Sequence, residues 1–310
     1  MTRPPAPAIG SFACVFGDLE RAPADLPGFA DLWRAASPDT DFAAMGCGTF
    51  RTMTRPPGEY VADCVKRVLA DRGVPAGEVD RVVFATSDAT LARLGRDFAV
   101  TALTGLGMTA AVPTVLSFRQ CCGSLEALRY GWETFADPGV RHVVVVALDF
   151  TPDDAERIRQ FALFGDAVAG LLISRTAAGP LRLVAATAAV DPDGLAGHDS
   201  FVSRQRVARA ALDRALDAGG TDVAGIAKAF PTNLYEPLTV FNTMAAGLPR
   251  ALLHFTEPMR AYAHCGNCDW IINLADYADR HGLRPGERYL ALASAPGFFA
   301  CGLLEGTGNP

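Results

Sequence analysis

The sequence of 310 residues predicts a duplicated α/β fold, because the pattern of its first half recurs in its second half. In both halves a helix-like segment ends at a glycine, and a short loop then leads to an apolar strand, at 82–85 and again at 226–230. Three matching pairs share one offset of 146 residues: Asp71 and Asp217, Gly73 and Gly219, and Phe84 and Phe230. We therefore expect two closely packed halves, 1–177 and 178–310, rather than independent modules.

Two polar, cysteine-bearing loops occupy equivalent places in this repeat. The first reads Gln-Cys-Cys-Gly-Ser at 120–124, and the second reads His-Cys-Gly-Asn-Cys-Asp at 264–269. The offset of 146 residues carries Cys121 onto Asn267. Halves related by a pseudo-twofold axis bring such loops together, so we expect the two loops to meet.

Cys121 lies where the apolar run 112–118 gives way to the helix-like segment 125–135. A thiol at this junction faces the amide donors and the positive dipole end of the helix, which favour a thiolate. This is the position of a nucleophile, although a cysteine taken alone more often serves packing. The neighbouring Cys122 projects differently if a helix begins here, and we assign it to packing.

Further motifs resemble a known family. Residues 163–170, Leu-Phe-Gly-Asp-Ala-Val-Ala-Gly, resemble the L-F-G-D-G-A-G-A segment of β-ketoacyl-acyl-carrier-protein synthase III, a member of the thiolase superfamily. Residues 121–123 resemble the C-A-G nucleophile motif of that family, 266–267 its G-N loop, and 295–302 its glycine-rich strand end. The resemblance runs from about Gly58 to the C-terminus. It implies a thiolase fold with duplicated βαβαβαββ halves in a five-layered α-β-α-β-α arrangement.

One departure from the family pattern decides the predicted chemistry. The family reads P-H-Q-A-N in its second catalytic loop, whereas residues 231–235 read Pro-Thr-Asn-Leu-Tyr and place Thr232 at the histidine position. In condensing enzymes that histidine and the G-N asparagine promote decarboxylation of a malonyl group. Here a histidine stands instead at His264, five residues before Asp269. This spacing resembles ketosynthase-III-like acyltransferases of polyketide pathways, which use a Cys-His-Asp arrangement.

The resemblance implies roles for a small set of residues. Catalysis is assigned to Cys121 as nucleophile, His264 as base, Asp269 as the orienting carboxylate, and Asn267. The backbone N–H groups of Cys121 and Gly297 are the expected oxyanion donors, and substrate contacts are expected from Thr232, Asn233 and Phe298. Phe298 and Phe299 replace small residues and indicate a narrowed pocket. Alternatives stay open, because His264 taken alone is more often structural and Asp269 could equally be a first-turn helix carboxylate.

Composition narrows the other function classes. The net charge of −6 and pI of about 5.4 disfavour a nucleic-acid partner. No apolar run approaches the ~18 residues of a membrane span, and 1–10 contains no signal-like apolar region. Eight cysteines without a secretory signal indicate reduced thiols in the cytoplasm. The C-x-x-C at 265–268 lacks the second pair of ligands that a structural zinc site needs, so we expect no metal and no cofactor.

The sequence therefore predicts an acyltransferase. It would move an acyl group from a coenzyme A or acyl-carrier-protein thioester, through an acyl-cysteine, to a hydroxyl, amine or carrier thiol. Arg204, Arg206 and Arg209 are a candidate basic patch for an acidic carrier. Two alternatives remain: a decarboxylating condensing enzyme that relies on Asn267, and a non-catalytic subunit that pairs with an active homologue. We also expect a homodimer, because this fold usually pairs through its long sheet.

Overall fold

The computed structural model describes residues 6–95 and 98–309, so part of the N-terminal stretch considered above, residues 1–5, lies outside it. The strands are β1 (Ala8–Phe16), β2 (Leu19–Arg21), β3 (Phe50–Thr52), β4 (Arg81–Ala85), β5 (Val112–Leu116), β6 (His142–Asp149), β7 (Ala167–Ser174), β8 (Leu181–Val190), β9 (Ile226–Phe230), β10 (Arg288–Ala295) and β11 (Phe298–Gly306). The α-helices are α1 (Phe29–Ala36), α2 (Pro57–Ala70), α3 (Asp88–Leu94), α4 (Phe98–Leu106), α5 (Gly123–Glu133), α6 (Phe201–Gly219), α7 (Glu236–Ala245), α8 (Thr256–Tyr262) and α9 (Asp269–His281).

The main sheet consists of two half-sheets whose topologies match except at one strand. Its order within the described residues is β5-β4-β6-β7-β1-β8-β11-β10-β9, and β2 pairs separately with β3. In the first half β6 runs antiparallel to β7, and β7 lies beside β1. In the second half β10 runs antiparallel to β11, and β11 lies beside β8. The half-sheets join at one antiparallel pair, Ile9 with Leu181. The second half lacks a full counterpart of β5 and retains only a parallel bridge between Ala229 and Leu253.

Helices and half-sheets together form five layers. The helices α5 and α9 lie in the centre and contact strands of both half-sheets, whereas α2 and α4 cover the outer face of the first and α6 that of the second. Strands β6 and β7 are buried along their whole length, which explains their continuous apolar sequences. The arrangement confirms the predicted α-β-α-β-α fold. The predicted division after residue 177 falls in the connection between β7 and β8.

The two central helices begin at the two cysteine-bearing loops. A single 3-10 turn, Gln120–Cys122, leads into α5, and a matching turn, Gly266–Cys268, leads into α9. The first turns of α9 are buried, because apolar side chains occupy every face of 270–272. The expected convergence of the loops is present, since the Asn267 Nδ2 donates to the Gln120 carbonyl oxygen at 2.9 Å.

No helix within residues 6–95 and 98–309 combines the length and the apolar character that a bilayer crossing requires.

Candidate active site

Cys121 sits on a strained turn between β5 and α5. Phe118 and Gln120 both have positive φ angles, 60° and 47°, which residues with a side chain rarely adopt. Strain of this kind collects at functional sites, where the surrounding structure holds it in place. The turn leaves Cys121 half-buried, whereas the next residue, Cys122, is fully buried and directs its thiol to the Phe298 carbonyl. Only the first of the two cysteines is therefore open to a ligand.

His264 is held by the Leu-Phe-Gly-Asp segment of the first half. Its backbone N–H donates to the Leu163 carbonyl at 2.9 Å, and its carbonyl accepts from Gly165 N–H at 3.0 Å. Gly165 is required there, because a Cβ atom would lie 2.2 Å from the Tyr262 carbonyl oxygen. The preceding residue, Ala263, is strained at φ 60° and ψ −150°. Cys121 and His264 thus each follow a strained residue.

A cysteine, a histidine and an aspartate form a hydrogen-bonded line in the structure. The Cys121 Sγ lies 3.4 Å from His264 Nε2, and His264 Nδ1 lies 2.5 Å from Asp269 Oδ2. Asp269 also accepts the backbone N–H groups of Cys265 and Asn233, both at 2.7 Å. The Asp269 carboxyl group thus has three hydrogen-bond partners, and only 1% of the residue's surface is exposed. The geometry matches a thiol, an imidazole and an orienting carboxylate.

The electrostatic environment favours the charged form of His264. Burial by itself lowers the pKa of this imidazole, but the negative charges of Asp269 and Cys121 and its hydrogen bonds to them outweigh burial. The net effect raises the pKa of His264 well above its ordinary value. The raised pKa favours a protonated imidazole at His264, beside the Cys121 sulfur.

Asn267, which the resemblance assigned to catalysis, does not line the cavity, and its predicted catalytic role stays a prediction. Its side chain is fully buried, and its Nδ2 donates to the Gln120 carbonyl at 2.9 Å and to Asp149 Oδ2 at 2.8 Å. Its Oδ1 accepts the Ser124 N–H at 3.0 Å. Both N–H bonds and the carbonyl of the amide are therefore engaged inside the protein, so Asn267 braces the Cys121 turn from behind.

Asp149 is a residue of this region that sequence reasoning missed. It ends β6, and its carboxylate accepts the backbone N–H groups of Ser87 at 2.8 Å and of Asn267 at 2.7 Å, in addition to the Asn267 side chain. Gly266 is required next to it, because a Cβ atom would lie 2.1 Å from Asp149 Oδ2. The signal in the sequence was a carboxylate that closes an otherwise apolar strand, since a buried charge needs dedicated partners.

A cavity of about 670 Å³ opens beside Cys121 and His264. Cys121, His264, Thr232, Gly297 and Phe298 line it, and much of its wall is apolar. The predicted residues that do not line this cavity are Asp269, Asn233 and Asn267. Five of the eight predicted residues thus surround one space, and the other three lie behind it.

Thr232 lines the cavity, whereas its neighbour Asn233 does not. The Thr232 hydroxyl oxygen accepts the Ser294 N–H at 2.9 Å, at the cavity wall. Asn233 is buried, its N–H donates to Asp269, and its Oδ1 accepts from Asn273 Nδ2 at 2.8 Å. Asn233 thus supports Asp269 and does not line the cavity, and its predicted substrate contact stays a prediction.

Gly297 and Phe298 form the hairpin end of β10 and β11. Gly297 has φ 67°, and a Cβ atom there would lie 2.4 Å from the Leu195 nitrogen, so both backbone conformation and space require glycine. Phe298 packs against Arg119, whose guanidinium carbon lies 5.4 Å from the ring centre. Gly297 and Phe298 line the same cavity as Cys121, and their roles as oxyanion donor and substrate contact stay predictions.

Cys265 and Cys268 are packing residues in the structure. Both are fully buried, and burial is the main cause that raises the pKa of each thiol well above its ordinary value. Their sulfur atoms contact backbone carbonyls, at 3.3 Å from Tyr262 and 3.4 Å from Ala147. In the part of the chain that the structure describes, no group of three or more histidine, cysteine or acidic side chains is arranged to hold a metal ion.

Solved structures of similar shape identify the fold. ChlB3, described as an acyltransferase, superimposes with a TM-score of 0.82 and 15% identity over 98% of each chain. The chain has the fold of ketosynthase III enzymes. The 3-oxoacyl-[acyl-carrier-protein] synthase III of Aquifex aeolicus VF5 gives a TM-score of 0.78 at 14% identity, over 96% of this chain and 99% of that one. The priming β-ketosynthase of the R1128 polyketide pathway gives 0.79 at 16% identity, over 100% and 98%.

These matches confirm the predicted thiolase fold, and sequence comparison adds nothing further. No protein-family model matches the chain, and no curated protein matches it. Within the thiolase fold, Cys121 and His264 come from the two different halves, at the point where the central helices begin. What this chain does with that pair has to be argued from its own residues.

We expect Asp269→Asn to lower the pKa of His264, because the substitution removes the negative charge that raises it most. The pKa can be measured by NMR titration of the histidine ring. Asp276→Asn is the matched control, since Asp276 Oδ2 lies 2.7 Å from a different imidazole, His254 Nε2. The control should shift His254 and leave His264 unchanged. An unchanged His264 in Asp269→Asn would contradict the assigned electrostatics.

Proposed function

We propose that this protein is a ketosynthase-III-like acyltransferase that moves an acyl group through an acyl-cysteine without extending it. The observation that carries the proposal is the line from Cys121 Sγ to His264 Nε2 at 3.4 Å and from His264 Nδ1 to Asp269 at 2.5 Å. Cys121 and His264 line a cavity that is large enough for a thioester substrate. The similarity in fold to an acyltransferase is consistent with it.

The first half-reaction forms the acyl-enzyme. The Cys121 sulfur attacks the carbonyl carbon of the donor thioester, and the backbone N–H groups of Cys121 and Gly297 stabilise the tetrahedral oxyanion. The bond between the carbonyl carbon and the donor sulfur then breaks. The departing thiolate takes the proton from His264 and leaves as a free thiol.

Acylation also prepares the base for the second half-reaction. The charge of Cys121 is one of the causes that raise the pKa of His264, and this charge disappears when the sulfur becomes a thioester. The pKa of His264 then falls, and the neutral imidazole can accept the proton of an acceptor hydroxyl, amine or thiol. The acceptor attacks the acyl carbon, the bond to Sγ breaks, and the thiolate and imidazolium are restored.

The alternative of a decarboxylating condensing enzyme has less support. It needs an imidazole and an amide that face the substrate together. Thr232 offers a hydroxyl in place of the imidazole, and the Asn267 amide is engaged with Gln120, Asp149 and Ser124. A non-catalytic subunit is disfavoured as well, because such a chain has no need of a strained cysteine paired with a buried His264 and Asp269.

The donor in this proposal is a thioester of coenzyme A or of an acyl carrier protein. Of the three candidate arginines, Arg204 lines the cavity and pairs with Asp199 at 2.9 Å. Arg206 pairs with Asp191 at 3.4 Å on the exposed side of the same helix. All eight cysteines are free thiols, which fits the reducing environment of the cytoplasm.

We expect Cys121→Ala to abolish the formation of an acyl-enzyme and Cys122→Ala to retain it. Only Cys121 lies at the cavity, whereas the Cys122 thiol is fully buried. Intact mass spectrometry after incubation with a panel of acyl-coenzyme A thioesters measures the adduct directly. An adduct that persists in Cys121→Ala would disprove the nucleophile assignment.

His264→Ala should slow acyl transfer by at least the ~100-fold that a lost general base typically costs. Thr232→Ala should have a much smaller effect, because its hydroxyl only accepts a backbone N–H in the structure. Asp269→Asn should fall between the two. Steady-state rates with one donor and one acceptor give the ranking. The reverse ranking, or release of carbon dioxide from a malonyl donor that is lost in Asn267→Ala, would favour the condensing enzyme.

The proposed enzyme is expected to be a homodimer that pairs through the β5 edge. This strand ends the sheet, and Val112 and Val115 on it are 49% and 41% exposed, which leaves an apolar edge uncovered. Light scattering at micromolar concentration should give twice the monomer mass, and Val115→Lys should lower that mass. A monomeric wild-type protein would refute the dimer.

A further inference from the structure

One carboxylate on the cavity wall has no role in the proposed mechanism. Asp88 begins α3, its side chain is exposed, and it lines the same cavity as Cys121. Its Oδ1 accepts the Ser117 hydroxyl at 2.5 Å and the Phe118 N–H at 2.7 Å. These two bonds fix the orientation of the carboxylate beside the Cys121 turn. No ion pair joins Asp88 to a cation within residues 6–95 and 98–309.

The charges on the cavity wall do not cancel. Apart from His264, the charged residues of the wall are Asp88, Asp199 and Arg204 in the described residues. Arg204 Nε lies 2.9 Å from Asp199 Oδ2, so these two neutralise each other. Asp88 is left as a net negative charge, in a protein whose overall charge is also −6.

Much of the remaining wall is apolar. Phe161, Phe164, Leu292, Phe298 and Phe299 present apolar surface to the cavity. Asp88 is itself exposed, so water still screens its charge and its interaction with a ligand is that of a partly exposed ion pair. A carboxylate on the substrate would be repelled here, and a cation would be attracted.

We propose that Asp88 selects a substrate that carries an alkylammonium group. The proposal rests on the acyl-transfer function given above, and names the chemistry that its cavity prefers. The ammonium group belongs either to the acyl group of the donor or to the acceptor, since both enter the cavity that Asp88 lines. Asp88 forms the ion pair, and Ser117 and Phe118 hold its carboxylate in position for it.

Two pairs of probes of nearly equal shape separate these sources. In the donor arm, β-alanyl-coenzyme A and butyryl-coenzyme A differ by an ammonium in place of a methyl group, and the rate of adduct formation is measured by intact mass. In the acceptor arm, 4-(aminomethyl)benzyl alcohol and 4-ethylbenzyl alcohol compete for the butyryl-enzyme. One arm should favour the cationic member by about fivefold, as for a partly exposed ion pair, and the preference should weaken at high salt.

Asp88→Asn should abolish this preference, because the amide can still accept from Ser117 and Phe118 but carries no charge. Asp193→Asn is the matched control, because Asp193 is exposed and does not line the cavity. This variant should prefer the cationic probe as strongly as the wild-type protein does. The ratio of the rates with the two probes distinguishes a role of Asp88 in selecting the substrate from a role in supporting the fold. Equal losses for both probes in Asp88→Asn, or equal rates for both in wild type in both arms, would overturn the proposal.

Failure of the proposed function gives a different result. If no donor forms an adduct with Cys121, the acyltransfer proposal fails. The charge preference is then read from calorimetric binding of both probe pairs, the two acyl-coenzyme A thioesters and the two alcohols, to wild-type protein and Asp88→Asn. Equal affinities of the wild-type protein within both pairs would overturn the selection as well, whereas tighter binding of the cationic member of one pair that Asp88→Asn removes would support it.

Discussion

The hydrogen bonds of the Asn267 side chain join the two halves of this protein beside Cys121. The residue belongs to the second half, yet its amide binds the Gln120 carbonyl, the Ser124 N–H and Asp149, all in the first half. Because the amide is fully buried, each unmade bond would leave a polar group without water or partner, which costs about 1–3 kcal/mol. The position of Cys121 opposite His264 depends on this brace.

The charges of the site follow from the same junction. Asp269 begins α9 and has its carboxylate fixed by Cys265, Asn233 and His264. A buried carboxylate at this place would be costly without these donors, and with them it stabilises an imidazolium beside the thiol. Cys121 and His264 therefore meet where two central helices begin, one in each half of the fold. The cavity is shaped by the hairpin of β10 and β11 and by α6 and α7.

Much of the fold could be predicted because it repeats. A shared offset of 146 residues and the order of glycine stops and apolar strands depend on local sequence, so they indicated two similar halves and the meeting of Cys121 with the loop of Asn267. The loss of a full third strand from the second half was not predicted. A single bridge at Ala229 and Leu253 depends on packing against β9, which periodicity does not report.

The sequence by itself determined the fold class, the pair of loops and the residue types that carry the proposed chemistry, because turns, apolar periodicity and motif spacing are local properties. Only the tertiary structure decided which polar atoms face the cavity. Sequence motifs predicted Asn267, Asn233 and Asp269 at the site, yet none of the three lines the cavity. Asp88, which no motif indicated, does line it. The side on which a polar group lies depends on hydrogen bonds between residues more than a hundred positions apart, such as those from Asn267 to Gln120 and Asp149, and sequence spacing does not contain that information.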